Sequence, residues 1–390
     1  MANIPLATTA ALPVTGSHAG SSHRLGGVDA LRGLAAVLVV LFHFTSRYDQ
    51  KFGHLTEPAF SVPWGNLGVN LFFMVSGFVI FMTLDRVSRP MDFVVSRFSR
   101  LYPAYWVAAA LTFLVLTVFP ELGRIVSLRQ ALSNGLMFEG LFGVAPIDGA
   151  YWTLEVELLF YWGMFILANS VGLDRPWRWL GVWLGVSLVY GVAGRAGISF
   201  PYVVTNFLIL PYFPYFALGM LLYLRFKGAP FRWQVEGALG ALALLDIALI
   251  DPLLRLVFAV GFVASFYVFV FVPRVASSRT VALMARLGAI SYPLYLLHEN
   301  IGWTVIHHLE ARGVGTNVAI SLAFAMALAA ATALHFAVEL PAMNAIRRWY
   351  KARQLRRPAS GSADAARRRW LYGALGLGLV LLIGNRIAMH

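Results

Sequence analysis

Long apolar runs recur along the whole chain, and short segments rich in arginine separate them. A transmembrane helix needs about 20 mostly apolar residues, and eleven stretches meet this requirement. The runs are too long for the alternating strands of a membrane barrel. The pattern therefore predicts an all-α integral membrane protein, a polytopic bundle of about ten core helices with an eleventh at the C-terminal end. The approximate cores are 28–46, 67–84, 101–119, 151–168, 177–193, 203–224, 235–250, 252–272, 288–308, 316–337 and 370–388.

The segments outside these runs divide the chain into four parts. Residues 1–24 are small and polar, which indicates a flexible cytoplasmic tail, and they lack the basic start and apolar core of a signal peptide. Residues 25–345 are expected to form the main transmembrane domain. Residues 346–369 are a basic cytoplasmic linker, and residues 370–390 hold the additional helix.

Composition agrees with a membrane protein. Hydrophobic residues make up 59% of the chain and charged residues 13%, about half the charged fraction of a soluble domain. There is no cysteine, which excludes disulfides, thiolate metal sites and covalent cysteine intermediates. The nine histidines lack the paired spacing of a metal-binding helix, so we predict no metal.

The net charge of +13 would suit a partner that is a polyanion. Most of the 31 lysines and arginines, however, fall in alternate connections, on one side of the predicted bundle. Basic residues accumulate on the cytoplasmic side of membrane proteins. The charge therefore indicates topology rather than a nucleic-acid partner, with a cytoplasmic N-terminus and the C-terminus on the other side.

Ionisable side chains in two of the predicted spans mark candidate functional positions. Arg32 lies near the start of the first span, and His43 follows eleven residues later, about 16 Å along a helix. The fourth span carries Glu155 and Glu157 in its first two turns, at a depth similar to His43. A histidine and a carboxylate at one depth suit a general base and the group that orients it. We therefore predict that His43 pairs with Glu157.

Other polar residues lie in or beside the spans. His298 is near the middle of the ninth span beside Glu299 and Asn300, and Ser76 lies in the second. Arg97 and Arg100 stand on the cytoplasmic side between the second and third spans. Arginine forms bidentate contacts with phosphate, so this pair suits a phosphorylated ligand; an interfacial anchor would use the same residues.

Ordinary structural roles also fit several of these residues. An arginine at a cytoplasmic helix end, such as Arg32, often snorkels to the interface and sets topology. A buried histidine such as His298 often makes a hydrogen bond between helices. Ser76 precedes a glycine and suits a packing contact. These roles fit His43 and Glu157 least well.

Six segments, in the same order along the chain, resemble the signature of the membrane acyltransferase-3 family. The resemblance spans roughly residues 27–341. The segment in the fourth predicted span departs from the family pattern: Glu155 stands where the family has serine, and Leu158 replaces its second glutamate. The matching segments are VDALRGLAAVLVVLFH (28–43), GVNLFFMVSGFVI (68–80), RFSRLYPAYW (97–106), WTLEVELLFYW (152–162), SYPLYLLH (291–298) and VELP (338–341).

The resemblance implies an enzyme of the bacterial inner membrane. It would transfer an acyl group, usually acetyl, from a coenzyme A thioester to a sugar hydroxyl of an envelope or exported glycan, such as an exopolysaccharide or lipopolysaccharide. Acetyl-CoA would be the donor substrate, and the lipid bilayer and a glycan acceptor would be the partners. Arg32, Arg97 and Arg100 would bind the donor, with His43 as base and Glu157 as its partner. Further contacts to substrate or oxyanion are expected from Ser76, Tyr151, Trp152, His298 and Asn300.

Several alternatives stay open at this point. The acyl group could pass directly to the acceptor or first to His43 or Ser76. The acyl chain could be acetyl, succinyl or longer. Charged groups inside spans also mark proton-coupled transporters of small or glycan-like solutes, although the two halves of this chain show no internal similarity. Acyl transfer from acetyl-CoA in detergent would separate the two classes.

Overall fold

The computed structural model describes residues 18–87, 89–229, 232–250, 253–355 and 373, and within them the chain is helical without strands. The last part of the predicted basic linker and the predicted eleventh span lie outside this part, apart from residue 373. The first helix begins at His18, inside the predicted tail. The α-helices are α1 (His18–Phe42), α2 (Tyr48–Phe52), α3 (Gly68–Arg86), α4 (Pro90–Val118), α5 (Leu128–Ser133), α6 (Trp152–Ser170), α7 (Pro176–Arg195), α8 (Tyr202–Phe207), α9 (Phe213–Phe226), α10 (Trp233–Ile250), α11 (Leu253–Phe271), α12 (Pro273–Ala276), α13 (Arg279–Ala289), α14 (Ser291–Leu297), α15 (Glu299–Glu310), α16 (Thr316–Leu334) and α17 (Leu340–Leu355).

Six helical stretches among the described residues are long and apolar enough to cross a membrane. A seventh is added if α13 and α14, which meet at 52°, count as one span. The all-α membrane class is therefore confirmed, whereas the count of eleven helices stays a prediction. The six stretches are Leu25–Phe52, Gly65–Arg86, Pro90–Val118, Trp233–Ile250, Leu253–Phe271 and Thr316–Leu355.

Two of the predicted spans are broken in the structure. The span predicted at 203–224 is divided into α8 and α9, and Ile209 between them has a φ of 47°. A β-branched residue rarely adopts this left-handed conformation, but Ile209 is fully buried and its amide and carbonyl are both hydrogen-bonded. The span predicted at 288–308 is divided among α13, α14 and α15. Pro293 in the first turn of α14 cannot donate the hydrogen bond that would continue α13.

Glycines allow two pairs of helices to cross at close distance. A Cβ at Gly219 of α9 would lie 1.9 Å from the Met74 carbonyl oxygen, and one at Gly77 of α3 would lie 2.1 Å from that of Phe216. The crossing of α1 and α13 is built in the same way, through Gly33 and Gly288. Small residues at such interfaces allow membrane helices to approach closely. These two crossings fix α1 and α3, which line the central cavity described below.

The segment between α4 and α6 folds back along α4. Tyr105, near the middle of α4, donates a hydrogen bond of 2.7 Å to the carbonyl oxygen of Asn134, and Trp106 donates one of 2.9 Å to that of Gly135. The segment thus runs back along α4 for about 20 Å from the end of that helix. The rings of Tyr105 and Tyr151 lie 5.2 Å apart. Helix α6 therefore begins beside the middle of α4 rather than level with its end.

Candidate active site

His43 opens a π-helical segment, His43–Arg47, that links α1 to α2. The wider turn leaves backbone carbonyls for other partners. Trp303 Nε1 donates a hydrogen bond of 2.8 Å to the His43 carbonyl oxygen, and His54 Nε2 donates one of 3.1 Å to that of Phe44. Insertions of this kind are frequent at functional sites. Side chains from α15 and from the loop after α2 therefore hold the backbone at His43.

The hydrogen bonds of the His43 ring identify its basic nitrogen. Nδ1 lies 2.8 Å from the Val39 carbonyl oxygen, which can only accept, so Nδ1 carries the proton in the neutral ring. His298 Nδ1 likewise donates to the Tyr295 carbonyl oxygen at 2.7 Å, which leaves its Nε2 as an acceptor 3.2 Å from His43 Nδ1. The Nε2 of His43 is therefore the nitrogen that can take a proton from a substrate.

The nearest carboxylate to that nitrogen belongs to Glu299. Its Oε2 lies 3.5 Å from His43 Nε2, and the Glu299 side chain is buried. The next residue, Asn300, donates from Nδ2 to Asp148 Oδ2 at 2.8 Å and accepts from Arg124 Nη1 at 3.2 Å. Glu299, Asp148 and Arg124 were not selected from the sequence. An acidic residue inside an apolar run, beside His298, was the one signal for Glu299.

A cavity of about 250 Å³ lies between α1, α3, α4, α6 and α14. At one end, Arg32 of α1 and Arg97 and Arg100 of α4 line it. Thr153 and Tyr295 are at the other, and the ring of Tyr295 is 5.4 Å from that of His298. The three predicted arginines thus share one cavity that extends toward the histidine pair. The remaining lining is largely apolar and includes Val28, Val69, Phe72, Phe73, Val75, Val79, Ile80, Leu101 and Leu154.

Glu157 lies in this cavity and contacts other residues than His43. Its Oε1 accepts a hydrogen bond of 2.5 Å from Ser76 Oγ and another from the Tyr161 hydroxyl. Arg97 lies over the Tyr161 ring, 5.9 Å from its centre, and its Nε has no hydrogen-bond partner among the described residues. The structure thus pairs His43 with Glu299, and the predicted pair of His43 and Glu157 does not form. The reason is that α6 begins part-way along α4.

The other residues predicted to contact substrate or oxyanion lie in different parts of the structure. The Tyr151 hydroxyl is buried and donates to the Leu296 carbonyl oxygen at 2.9 Å. Trp152 is 41% exposed and packs against the rings of Phe73 and Tyr212. Asn300 uses its amide on Asp148, as described above. Of the five, Ser76 lines the cavity and His298 contacts His43.

Another buried histidine–glutamate pair lies at the far end of α15. His54 Nδ1 and Glu310 Oε1 are 2.9 Å apart. Because His54 also caps the Phe44 carbonyl, this pair joins the loop after α2 to both α15 and the π-helical segment. Within the described residues, no group of three or more His, Asp or Glu could hold a metal ion.

Comparisons with known proteins place this arrangement in a family. A family model described as an acyltransferase domain matches residues 25–336. The exopolysaccharide production protein ExoZ of Rhizobium meliloti (strain 1021) is 31% identical over 273 residues, which cover 66% of this chain and 80% of that protein.

Two further relatives are more distant. Acyltransferase MdmB of Streptomyces mycarofaciens is 26% identical over 409 residues, covering 88% of this chain and 96% of that protein. A putative acetyltransferase, ORF330 of Acidianus two-tailed virus, is 24% identical over 288 residues, covering 70% and 81%. No solved structure gives a significant match. The family model covers most of the chain, and the chain therefore belongs to the acyltransferase-3 family.

Proposed function

We propose that this protein is a membrane O-acetyltransferase. It moves an acetyl group from cytoplasmic acetyl-CoA to a sugar hydroxyl of an exported or envelope polysaccharide. The observation that carries the proposal is one cavity with three arginines at one end and the His43–His298 pair beyond the other. Family membership supports acyl transfer, and the name of the relative ExoZ supports an exopolysaccharide as acceptor.

The arginine end of the cavity suits the phosphates of coenzyme A. Arg32, Arg97 and Arg100 bring three positive charges together. Among the described residues, the one carboxylate within ion-pair distance of these arginines is Asp29, 3.6 Å from Arg32. The unpartnered Nε of Arg97 is a donor ready for a phosphate oxygen. These groups would face the cytoplasm in the predicted topology, where the donor is made.

The apolar middle of the cavity suits the pantetheine arm. The arm would run between α1 and α3 toward Phe72 and Tyr295, whose rings lie 5.7 Å apart at the inner end. His43 and His298 lie beyond these two rings. A thioester held at this end would be close to the base and shielded from the cytoplasm.

His43 would act as the general base. The acceptor hydroxyl gives its proton to Nε2 as its oxygen attacks the thioester carbonyl carbon. The carbon–oxygen bond forms, the carbon–sulfur bond breaks, and the proton returns from Nε2 to the departing thiolate. The hydroxyls of Thr153 and Tyr295, 2.7 Å apart, stand at this end of the cavity. We favour direct transfer because Ser76 already donates its proton to Glu157.

The test is acetyl transfer by purified protein in lipid nanodiscs, where no gradient can exist. Radiolabelled acetyl-CoA and deacetylated polysaccharide from the source cells are the substrates. Secreted and envelope glycans of a deletion strain, analysed by mass spectrometry, should lack one acyl group, and wild-type protein should restore it. His43→Ala should insert and fold but fail to restore it, because Trp303 bonds the His43 backbone and not its ring. Unchanged glycans, or transfer by the His43→Ala variant, would contradict the proposal.

A further inference from the structure

We propose that Glu299 is the positioning carboxylate of His43, and that it stabilises the imidazolium formed during acyl transfer. This proposal rests on the proposed function but concerns a residue outside the family signature segments. The contact joins residues 256 positions apart, one at the end of α1 and one at the start of α15. It assigns a role to a buried charge that the mechanism above does not use.

The first argument is the side of the ring that Glu299 faces. His43 Nδ1 is engaged by the Val39 carbonyl oxygen and by His298. Nε2 is therefore both the proton acceptor and the nitrogen that faces Glu299 Oε2 at 3.5 Å. When Nε2 takes the hydroxyl proton, its new N–H faces Glu299 Oε2, which can accept a hydrogen bond from the positive ring. Breaking the carbon–sulfur bond then returns this proton to the thiolate, and the carboxylate ends unchanged.

The second argument is that Glu299 Oε2 has no hydrogen-bond partner within the described residues. The residue is only 4% exposed, and a buried carboxylate oxygen without a partner is costly. The N–H that appears on His43 Nε2 during the reaction faces this oxygen and can donate a hydrogen bond to it. An interaction that forms only when the proton is transferred lowers the barrier rather than strengthening substrate binding.

The third argument is that the surroundings fix the carboxylate in place. Asp148 accepts hydrogen bonds from the backbone and side-chain nitrogens of Asn300, at 3.2 and 2.8 Å, and so anchors the start of α15. The carboxylate of Glu299 then lies over Gly149, where a Cβ would come within 2.2 Å of Oε1. Only glycine at position 149 leaves room for this placement.

Glu155 provides a matched control for Glu299. It is also a buried glutamate, its Oε2 accepts a hydrogen bond of 2.9 Å from the Gly140 amide, and a Cβ at Gly140 would lie 2.4 Å from that oxygen. The two glutamates thus share burial and a glycine contact in the same connecting segment. They differ in that only Glu299 faces His43.

The experiment compares Glu299→Gln, Glu299→Asp and Glu155→Gln in nanodiscs, measuring kcat and KM for acetyl-CoA. We expect Glu299→Gln to lower kcat by about tenfold or more with KM nearly unchanged. Glu299→Asp should recover part of the loss, and Glu155→Gln should retain wild-type kcat. Wild-type kcat in Glu299→Gln, or an equal loss in Glu155→Gln, would overturn the proposal.

A second variant pair moves the carboxylate without removing it. Gly149→Ala should displace Glu299 and lower kcat, whereas Gly140→Ala should displace Glu155 and leave kcat unchanged.

If wild-type protein transfers no acetyl group, the proposed function fails and these rates do not bear on the pairing of Glu299 with His43. The pairing is then decided by nitrogen-15 spectra of the histidines, with the His43 signal identified by its loss in His43→Ala. Glu299→Gln should shift that signal, and an unshifted signal would refute the pairing.

Discussion

His298 Nε2 accepts a hydrogen bond from His43 Nδ1 at 3.2 Å, and so connects the end of α1 to the junction of α14 and α15. This acceptor and the Val39 carbonyl oxygen both favour the ring form with Nε2 unprotonated. His298 therefore contacts the proposed base, His43, through the nitrogen opposite Nε2.

The first prediction concerns this histidine pair. His298→Phe should keep a ring in the same space but remove the acceptor. Because Val39 still holds Nδ1, we expect a partial loss of kcat, about 10- to 100-fold, smaller than the loss in His43→Ala. His307→Phe, on the same helix α15, is the control and should be near wild type. Equal losses of kcat in His298→Phe and His43→Ala would contradict a role for His298 that is limited to orienting the His43 ring.

The second prediction concerns the arginine end of the cavity. Arg97→Ala combined with Arg100→Ala should weaken CoA binding, measured by isothermal titration in nanodiscs, because two of the three cavity arginines are lost. The double variant Arg279→Ala and Arg286→Ala removes the same charge from exposed positions of α13 and should bind CoA normally. Unchanged CoA affinity in the first variant would place the phosphates elsewhere.

The third prediction concerns a glutamate in the segment between α4 and α6. Burial raises the pKa of Glu139 from its ordinary value of 4.5 to about 7, and the neighbouring Glu155 adds to the rise. The folded protein thus binds this proton more tightly than the unfolded chain. Stability should fall as pH rises from about 4.5 to about 7, by about 3 kcal/mol, and the penalty should then stay constant.

Thermal unfolding of Glu139→Gln tests the sign of this effect. The variant carries no ionisable group at this position, so its Tm should exceed that of the wild type increasingly between pH 5 and 7. Glu57→Gln, at an exposed loop position, should follow the wild type at every pH. A constant difference in Tm between Glu139→Gln and wild type would contradict the assignment.

The fourth prediction concerns the crossing of α3 and α9. Gly219→Ala would place a methyl group 1.9 Å from a backbone oxygen of α3, so the helices must separate. Overpacking of this kind costs about 1–3 kcal/mol, and we expect a lower Tm in detergent. Gly261→Ala in α11, where a Cβ would meet nothing within 4 Å, should leave Tm unchanged. Equal Tm values for the two variants would show that the crossing adapts without cost.

The hydrophobic pattern was most informative where helices run without interruption. It predicted α3, α10, α11 and α16 well, because long apolar runs have few other folded states in a membrane. Helix α4 begins at Pro90, eleven residues before the predicted span. It did not predict the breaks at Ile209 and before α14. Both depend on prolines and on burial against other helices, and an apolar run shows neither.

The sequence likewise predicted some residues of the candidate site and missed others. Intramembrane charge singled out His43, His298 and the three arginines, because such groups are costly unless they have partners. The sequence gives depth along each helix but not the direction each side chain faces. Glu157 therefore seemed a suitable partner for His43, and Glu299 did not stand out. The returning segment between α4 and α6, which brings Asp148 to α15, has no local signal in the sequence.

The π-helical segment at His43–Arg47 has a consequence for how the chain can vary. One extra residue in a helix rotates everything after it by about 100°, so the α1 and α2 stretches point their apolar stripes in different directions. Removing one residue after His43 would restore a continuous α-helix and keep the spacing from Arg32 to His43. It would also swing Tyr48, now buried beside His54, away from α15. The orientation of the arginine end of the cavity and that of the loop after α2 are thus set by separate helical stretches, α1 and α2, and each can change without the other.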